Sequence, residues 1–424
     1  MGGLKITTVR NLYKHWKFDK LGKLCGRIYF SRVLSCMRAK ELLQLIPEEY
    51  FHQFAVETKV DHQVKKLSGQ IIFQLFLFSM INKKRVSLRV MEEFLKSSSF
   101  RNLSDESEID AKYNSISDRL SMIKAEYFEK IFYAAYERFS KHLNEESEIY
   151  RYDSTMIAVS SKLFDWGMRV GAKAKNPAKT EKLQLKFSVG MHGSFPSYIE
   201  IFSGQEDLSE DIALKKAILN NTNNRGNIIT FDRGLASRKS FDDISNENIW
   251  FVTRTNLTAK YEVISENKIP EKPEQATVQI QKDLNVMFPI TKNMGSQNRF
   301  RLVKGTIDRT GEEIYFVSNI VELDCYEIAS IYKKRWAIES LFKLLKQELN
   351  ISHIISRNLN GIKVMVYMTL ITSILIIAFR KLNSISSYKI AKLRLSIELE
   401  NELIGQIVVL CGGDLNKYNQ IYGP

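Results

Sequence analysis

Apolar positions along this chain follow one spacing in its first third, another in its middle and the first again near its end. From about residue 62 to 142 the spacing is helical. Residues 64–80 (VKKLSGQIIFQLFLFSM) are apolar on nearly every side and predict a largely buried helix. Ser87-Leu88-Arg89 opens another helix, with the serine in the N-cap position. Residues 123–143 carry Tyr127, Ile131, Tyr133, Tyr136 and Phe139 along one amphipathic face. Between these helices, the acidic, serine-containing residues 104–110 predict a loop. The acidic cluster at 145–148 marks a boundary.

Beyond that boundary the period shortens to two. Residues 148–159 (EIYRYDSTMIAV), 182–191 (KLQLKFSVGM) and 197–204 (SYIEIFSG) read as three consecutive strands. A helix over 209–221 follows, opened by Ser209 with acids in its first turn. Then come a strand at 227–232 (NIITFD), a short helix from about Ala236 and a strand at 248–253 (NIWFVT). Residues 254–325 predict β-hairpins built from TVQI, NVMFPI, RFRLVKGTI and EIYFVSNI, and helices resume at about Asp324. The expected fold is α/β: a mixed-sheet core with a β-rich insertion, preceded by an α-helical N-terminal domain and followed by C-terminal helices. The corresponding domains are 1–145, a core from 146–253 and 326–385, the insertion at 254–325 and a helical tail at 386–424. The apolar run 364–379 (VMVYMTLITSILIIAF) holds sixteen residues. A bilayer needs about 20, so it reads as a buried core helix, and a soluble, cytoplasmic protein without a membrane partner is expected.

Charge narrows the partner. The 424 residues carry 62 Lys and Arg against 48 Asp and Glu, a formal +14, and such a surplus favours a polyanion. Residues 1–40 hold ten of the basic residues and one acid, interleaved with Tyr13, Trp16, Phe18, Tyr29 and Phe30. This composition suits a DNA-contacting arm, because cations displace phosphate counterions while aromatic rings stack or wedge. The four cysteines have no CxxC spacing, which speaks against a zinc site or a disulfide framework.

Three acids are candidates for chemistry. Asp153 lies within a strand (YDST), Asp232 follows one (ITFDRG), and Glu339 sits in a strongly helical segment (IYKKRWAIESLFKLLKQEL). Acids at one edge of a sheet, met by a third on a helix crossing that edge, cannot all ionise without a cation between them. Such a set points to Mg2+ or Mn2+, as two ions, and to phosphoryl transfer. Taken singly, an Asp after a strand is more often a turn former or helix cap. At about 100° per residue, one continuous helix would place Tyr332, Arg335, Glu339 and Lys346 within an arc of about 60°. Arg and Lys there would hold phosphate and Tyr332 would donate to it. Trp336 offers a stacking face, although packing into the core is its commoner fate.

The spacing Tyr332-x2-Arg335-x3-Glu339-x6-Lys346 resembles the YREK signature of the IS4 family of insertion-sequence transposases. All four positions match. The resemblance implies that Glu339 is the third member of an Asp–Asp–Glu triad whose first two members are Asp153 and Asp232. It also implies a ribonuclease H-like core interrupted by a β-rich insertion before the helix bearing the Glu. The implied activity is metal-dependent cleavage of double-stranded DNA at transposon ends and strand transfer by the freed 3′-OH, with a homodimer pairing two ends. Further candidates for DNA contact are Lys182 and Lys186, expected on one face of a strand, Arg254 at a strand exit, and the basic stretch 161–187. Asp207 and Asp211 compete as extra metal ligands, although the helix dipole accounts for Asp211. Two other readings share these residues: a nuclease of the same core that only hydrolyses, and a domesticated DNA-binding protein without catalysis.

Overall fold

The computed structural model describes residues 37–424 except 99, 102–108, 146, 148, 160–166, 171–181, 257–259, 290–295, 411, 415–416, 418–419 and 421–424. Most of the basic arm at 1–40 and much of the basic stretch at 161–187 lie outside the described residues.

Helices occupy the chain before the sheet: α1 (Ala39–Leu43), α2 (Glu48–Thr58), α3 (Gly69–Asn82), α4 (Leu88–Lys96), α5 (Tyr113–Met122) and α6 (Ala125–His142). Local chemistry fixes their starts. The side chains of Ser68 and Ser87 accept from the backbone N–H of Ile71 and Val90, capping α3 and α4. The apolar residues of α3 then have no wet face left, and eleven of its positions are buried.

The middle of the chain forms one ten-stranded sheet. Its strands are β1 (Ile149–Val159), β2 (Met168–Val170), β3 (Lys182–His192), β4 (Phe195–Phe202), β5 (Ile228–Phe231), β6 (Trp250–Arg254), β7 (Glu262–Glu266), β8 (Val278–Met287), β9 (Phe300–Ile307) and β10 (Glu313–Ser318). Strands β1, β3 and β4 make an antiparallel meander, while β5 pairs parallel to β1 and β6 parallel to β5. The spatial order β4-β3-β1-β5-β6 with those directions is the ribonuclease H-like arrangement. Helix α7 (Glu210–Asn220) links β4 to β5, and α8 (Arg238–Asn246) links β5 to β6.

The region read as hairpins of an insertion continues this sheet. Strand β10 pairs antiparallel with β6, and β9, β8 and β7 follow outward. TVQI and NVMFPI fall largely on one strand, β8, whose register shifts near Ile280. The polar residues between them remain in the strand because Asp283, fully buried, is neutralised by Arg301 of β9 through a fork of 2.8 and 2.5 Å.

After β10 come α9 (Cys325–Lys333), α10 (Trp336–Lys343), α11 (Leu359–Leu382) and α12 (Tyr388–Leu410). Helix α11 has 24 residues, longer than the apolar run alone suggested and long enough to cross a membrane, but its most apolar window is 94% buried within the fold. It packs on α3, α6 and α12. Helices from before and after the sheet therefore share one core, which also covers Ile157, Leu185, Phe187 and Val189 on one face of β1 and β3.

Candidate active site

Parallel pairing brings the first two candidate acids together. The β1–β5 register runs from Ile149 opposite Ile228 to Tyr152 opposite Phe231, so Asp153 and Asp232 follow side by side just past the last pair. Side chains alternate faces along a strand. Tyr152 and Phe231 enter the core beneath α7 and α8. The two carboxyls are thereby directed to the other face, where Ile149 and Ile228 pack with Ile328 and Ile331 of α9. Asp153 itself lies inside β1, opposite Val189 of β3; the strand that ends at this level is β5.

The segment carrying Tyr332 and Glu339 is two helices, a correction to the single helix read from the sequence. Lys334, Arg335, Ala337 and Ile338 donate their N–H groups to residues three back rather than four, which tightens and breaks the helix. The two halves bury into different cores. Ile328, Ile331 and Tyr332 of α9 pack with the extended sheet, and Ile338, Leu341 and Phe342 of α10 pack with the outer helices. After Lys343 the chain widens into a π-helical turn, Leu344–Glu348.

A hydrogen-bond relay joins the helical pair to the acids. The Tyr332 hydroxyl donates to Asp232 Oδ1 at 3.1 Å, Arg335 Nε donates to that hydroxyl at 3.1 Å, and Arg335 Nη2 donates to Glu339 Oε1 at 2.8 Å. Arg335 is buried, yet its charge is retained: burial opposes it, while Tyr332, Glu339 and Asp232 hold the guanidinium protonated above its ordinary value. Burial pushes the Asp153 carboxyl up to about 6; the Ser154 N–H and Arg335 pull it down, and Glu210 and Asp232 push it further up. Burial also raises the Tyr332 hydroxyl to about 12, so it is a donor at neutral pH.

Sequence reasoning missed Glu210, weighing its neighbours instead. Asp211 accepts from the N–H groups of Ala236 and Ser237 at 2.7 and 2.8 Å, pinning the turn after Asp232. Asp207 is buried and pairs with Lys216 at 2.6 Å. Glu210 instead reaches over Gly234 in the Asp232-Arg233-Gly234 turn, where a Cβ would meet its carboxyl at 2.4 Å. Burial raises the Glu210 carboxyl, with Lys186 opposing and Asp232 and Asp211 adding to the rise. Its signal was present as an acid in the first turn of a helix, although nothing local distinguished it from Asp211.

The basic and aromatic candidates divide. Arg254 lies 6.0 Å from the centre of the Tyr332 ring, beside the relay. Trp336 is 61% exposed, against the expectation of packing, because it opens α10 on the side away from both cores. Lys346 is exposed in the π-helical turn with its ammonium 5.3 Å from the Phe342 ring centre. The break at Lys334 and Arg335 separates it from the helix bearing Tyr332, and the π turn sets it off from the helix bearing Glu339; among the described residues it has no hydrogen bond to Tyr332, Arg335 or Glu339. Lys182 begins β3. Lys186 is a correction: it is 1% exposed, and its ammonium donates to the Leu208 carbonyl beneath the start of α7. A lysine so enclosed does not meet a DNA backbone.

Among the described residues no three acidic, histidine or cysteine side chains converge on one point. Asp153 and Asp232 are neighbours, while the Glu339 carboxyl is turned onto Arg335. The donor set still suits a hard divalent cation: it consists of carboxylate oxygens, burial raises Asp153 with Glu210 and Asp232 adding to the rise, and one guanidinium lies against it.

Residues 147–375 match the family model described as the transposase DDE domain. A putative transposase for insertion sequence element IS4SA from Synechocystis is 25% identical over 237 residues, 54% of this chain and 60% of that protein. A probable transposase for insertion sequence element IS5377 from Geobacillus stearothermophilus is 24% identical over 217 residues, covering 50% and 51%. A putative transposase from Sinorhizobium fredii is 26% identical over 164 residues, 37% of this chain and 43% of that one. The chain thus spans about half the length of these relatives. A solved piggyBac transposase synaptic complex with hairpin DNA aligns with a TM-score of 0.46 at 9% identity, over 89% of this chain and 83% of that one. With the family model covering more than half of the chain, including all three candidate acids, the chain belongs to the transposase DDE domain family.

Proposed function

We propose that this chain is a DNA transposase that cleaves DNA strands at the ends of an insertion sequence and joins the freed 3′-OH to target DNA. The observation carrying this reading is the parallel register that sets Asp153 beside Asp232, with Glu339 tied to that pair through Tyr332 and Arg335. Asp153, Asp232 and Glu339 would hold Mg2+ or Mn2+, two ions by preference, once Arg335 releases the Glu339 carboxylate. Such ions, when bound, supply activation of the attacking oxygen and stabilisation of the leaving one in phosphoryl transfer.

The chain's own groups do the rest. Arg335 is a planar fork already facing the acids, suited to grip a phosphate with two parallel bonds. The Tyr332 hydroxyl donates to whichever oxygen replaces Asp232 as its acceptor. Trp336 presents an open indole on which an unpaired base can stack. Arg254, Lys346 and Lys182 add positive charge for the backbone. Two copies bound to paired ends would form the working assembly, in the cytoplasm with the DNA.

The test is incubation of purified protein with duplex DNA carrying the element's ends, in Mg2+ or Mn2+, beside Asp153→Ala and Glu339→Ala. Wild type is expected to cut at the element boundary and give strand-transfer products, while both variants bind without cutting. Cleavage by either variant at the wild-type rate refutes the triad. Cutting without joined products supports a nuclease instead.

A further inference from the structure

Arg151 is two residues ahead of Asp153 on the same face of β1, and it is buried. Its Nε donates to the Lys334 carbonyl at 2.7 Å and its Nη1 to the Gly193 carbonyl at 2.9 Å. Gly193, at a φ of +57°, turns the β3–β4 hairpin. Burial lowers the pKa of this guanidinium, with Glu145 opposing. Enclosing a guanidinium is costly unless every donor is used, and the acceptors used here are main-chain carbonyls.

Lys334 is the residue at which α9 breaks. In an unbroken helix its carbonyl would accept from Ile338, but Ile338 N–H goes to Arg335 O at 3.0 Å, and Lys334 O accepts instead from Ala337 N–H at 3.3 Å. A carbonyl released from the ladder needs another donor, and a side chain inserted there is a recognised cause of a helix break. Arg151 is that donor. The break matters because Tyr332 lies before it, Arg335 within it and Glu339 after it, so its geometry sets how the second half of the row meets the first.

We propose that Arg151 is a positioning residue for strand cleavage. By clamping the Lys334 carbonyl to β1, it fixes the register in which Arg335 and Glu339 face Asp153 and Asp232. This rests on the acid assignment proposed above. Arg151 touches no substrate; it acts through the helix break, holding Glu339 where its carboxylate reaches the aspartate pair when Arg335 turns to phosphate. A lysine there keeps the buried charge but has no fork to hold both carbonyls.

Arg151→Lys and Arg151→Met are compared with wild type and Asp153→Asn. The measurements are thermal melting, affinity for a duplex bearing the element's end, single-turnover cleavage, and the Mn2+ concentration that half-completes the metal-induced rise in melting temperature. Arg151→Lys is expected to melt near wild type and bind end DNA within about 2-fold. It should cut about 10-fold more slowly and need roughly 10-fold more Mn2+, as loss of a supporting contact behind a metal site does. Arg151→Met, where folded, should lose about 100-fold in cleavage, the scale of an ångström misplacement. Cleavage by Arg151→Lys at the wild-type rate overturns the proposal. So does a loss of cleavage matched by equal losses in DNA affinity and melting temperature, which marks a merely structural arginine. Wild-type cleavage by Asp153→Asn would instead overturn the acid assignment, separating the two failures.

Discussion

Replacing Asp153 by Asn should stabilise the metal-free protein at neutral pH while abolishing cleavage. Burial and two neighbouring acids raise this carboxyl from an ordinary 3.8 to about 6. At about 1.36 kcal/mol per pKa unit, holding it ionised in the fold costs up to about 3 kcal/mol. Solvent reaching the half-buried carboxylate screens part of that, and Asn forfeits the attraction to Arg335, while its amide oxygen can still accept from Ser154 N–H. A net gain of about 1–2 kcal/mol remains, worth roughly 2–4 °C in melting temperature. The sign with pH follows from linkage. Below the unfolded value near 4 the group is protonated in both states and the cost is absent; it grows between about 4 and 6 and is fully present above 6. Melting curves in a chelator from pH 4 to 8 should therefore show Asp153→Asn and wild type converging at the acid end and separating above pH 6. A variant less stable than wild type at pH 7.5, or a gap that does not change with pH, would refute the argument and make Asp153 an ordinary structural acid.

Three further outcomes are expected. Trp336→Ala should leave melting unchanged, because the indole is 61% exposed, yet weaken binding to DNA with unpaired ends by about 1–3 kcal/mol, read by fluorescence anisotropy. Asp283→Ala should destabilise the sheet extension by about 3–5 kcal/mol, measured by chemical denaturation, since it strands the enclosed Arg301 without its carboxylate. Tyr332→Phe removes the hydroxyl between Asp232 and Arg335 while keeping the ring in its packing. Cleavage should slow by about 10-fold or more with little change in stability, and single-turnover assays would expose an unchanged rate.

Much of this molecule is written in local pattern. The serine cap at Ser87, the alternation through EIYRYDSTMIAV and the apolar run of α11 each declare an element, because hydrogen-bonding caps and strand or helix periods act over a few residues, whereas the helix read over 64–80 starts only at Gly69, after Ser68. The row from Tyr332 to Lys346 resembles the signature of IS4-family transposases, and the match over 147–375 establishes the transposase DDE domain family. Burial was harder to read. Lys186, expected at phosphate, is enclosed, and Trp336, a stacking candidate whose commoner fate is packing, is open, because exposure depends on which distant element covers a strand or leaves a helix bare.

What only the tertiary structure decided is the meeting of separate segments. No local signal says that Phe231 aligns with Tyr152, which sets Asp153 beside Asp232. Nor does one say that Glu210 leans over Gly234, or that Arg151 reaches the Lys334 carbonyl across 183 residues of chain. The helix break has the same origin. Its sequence favours helix throughout, and it breaks because its two halves are drawn into different cores while a strand-borne arginine takes the carbonyl between them. Periodicity specifies the elements, whereas burial and long-range hydrogen bonding decide where they bend and which side chains meet.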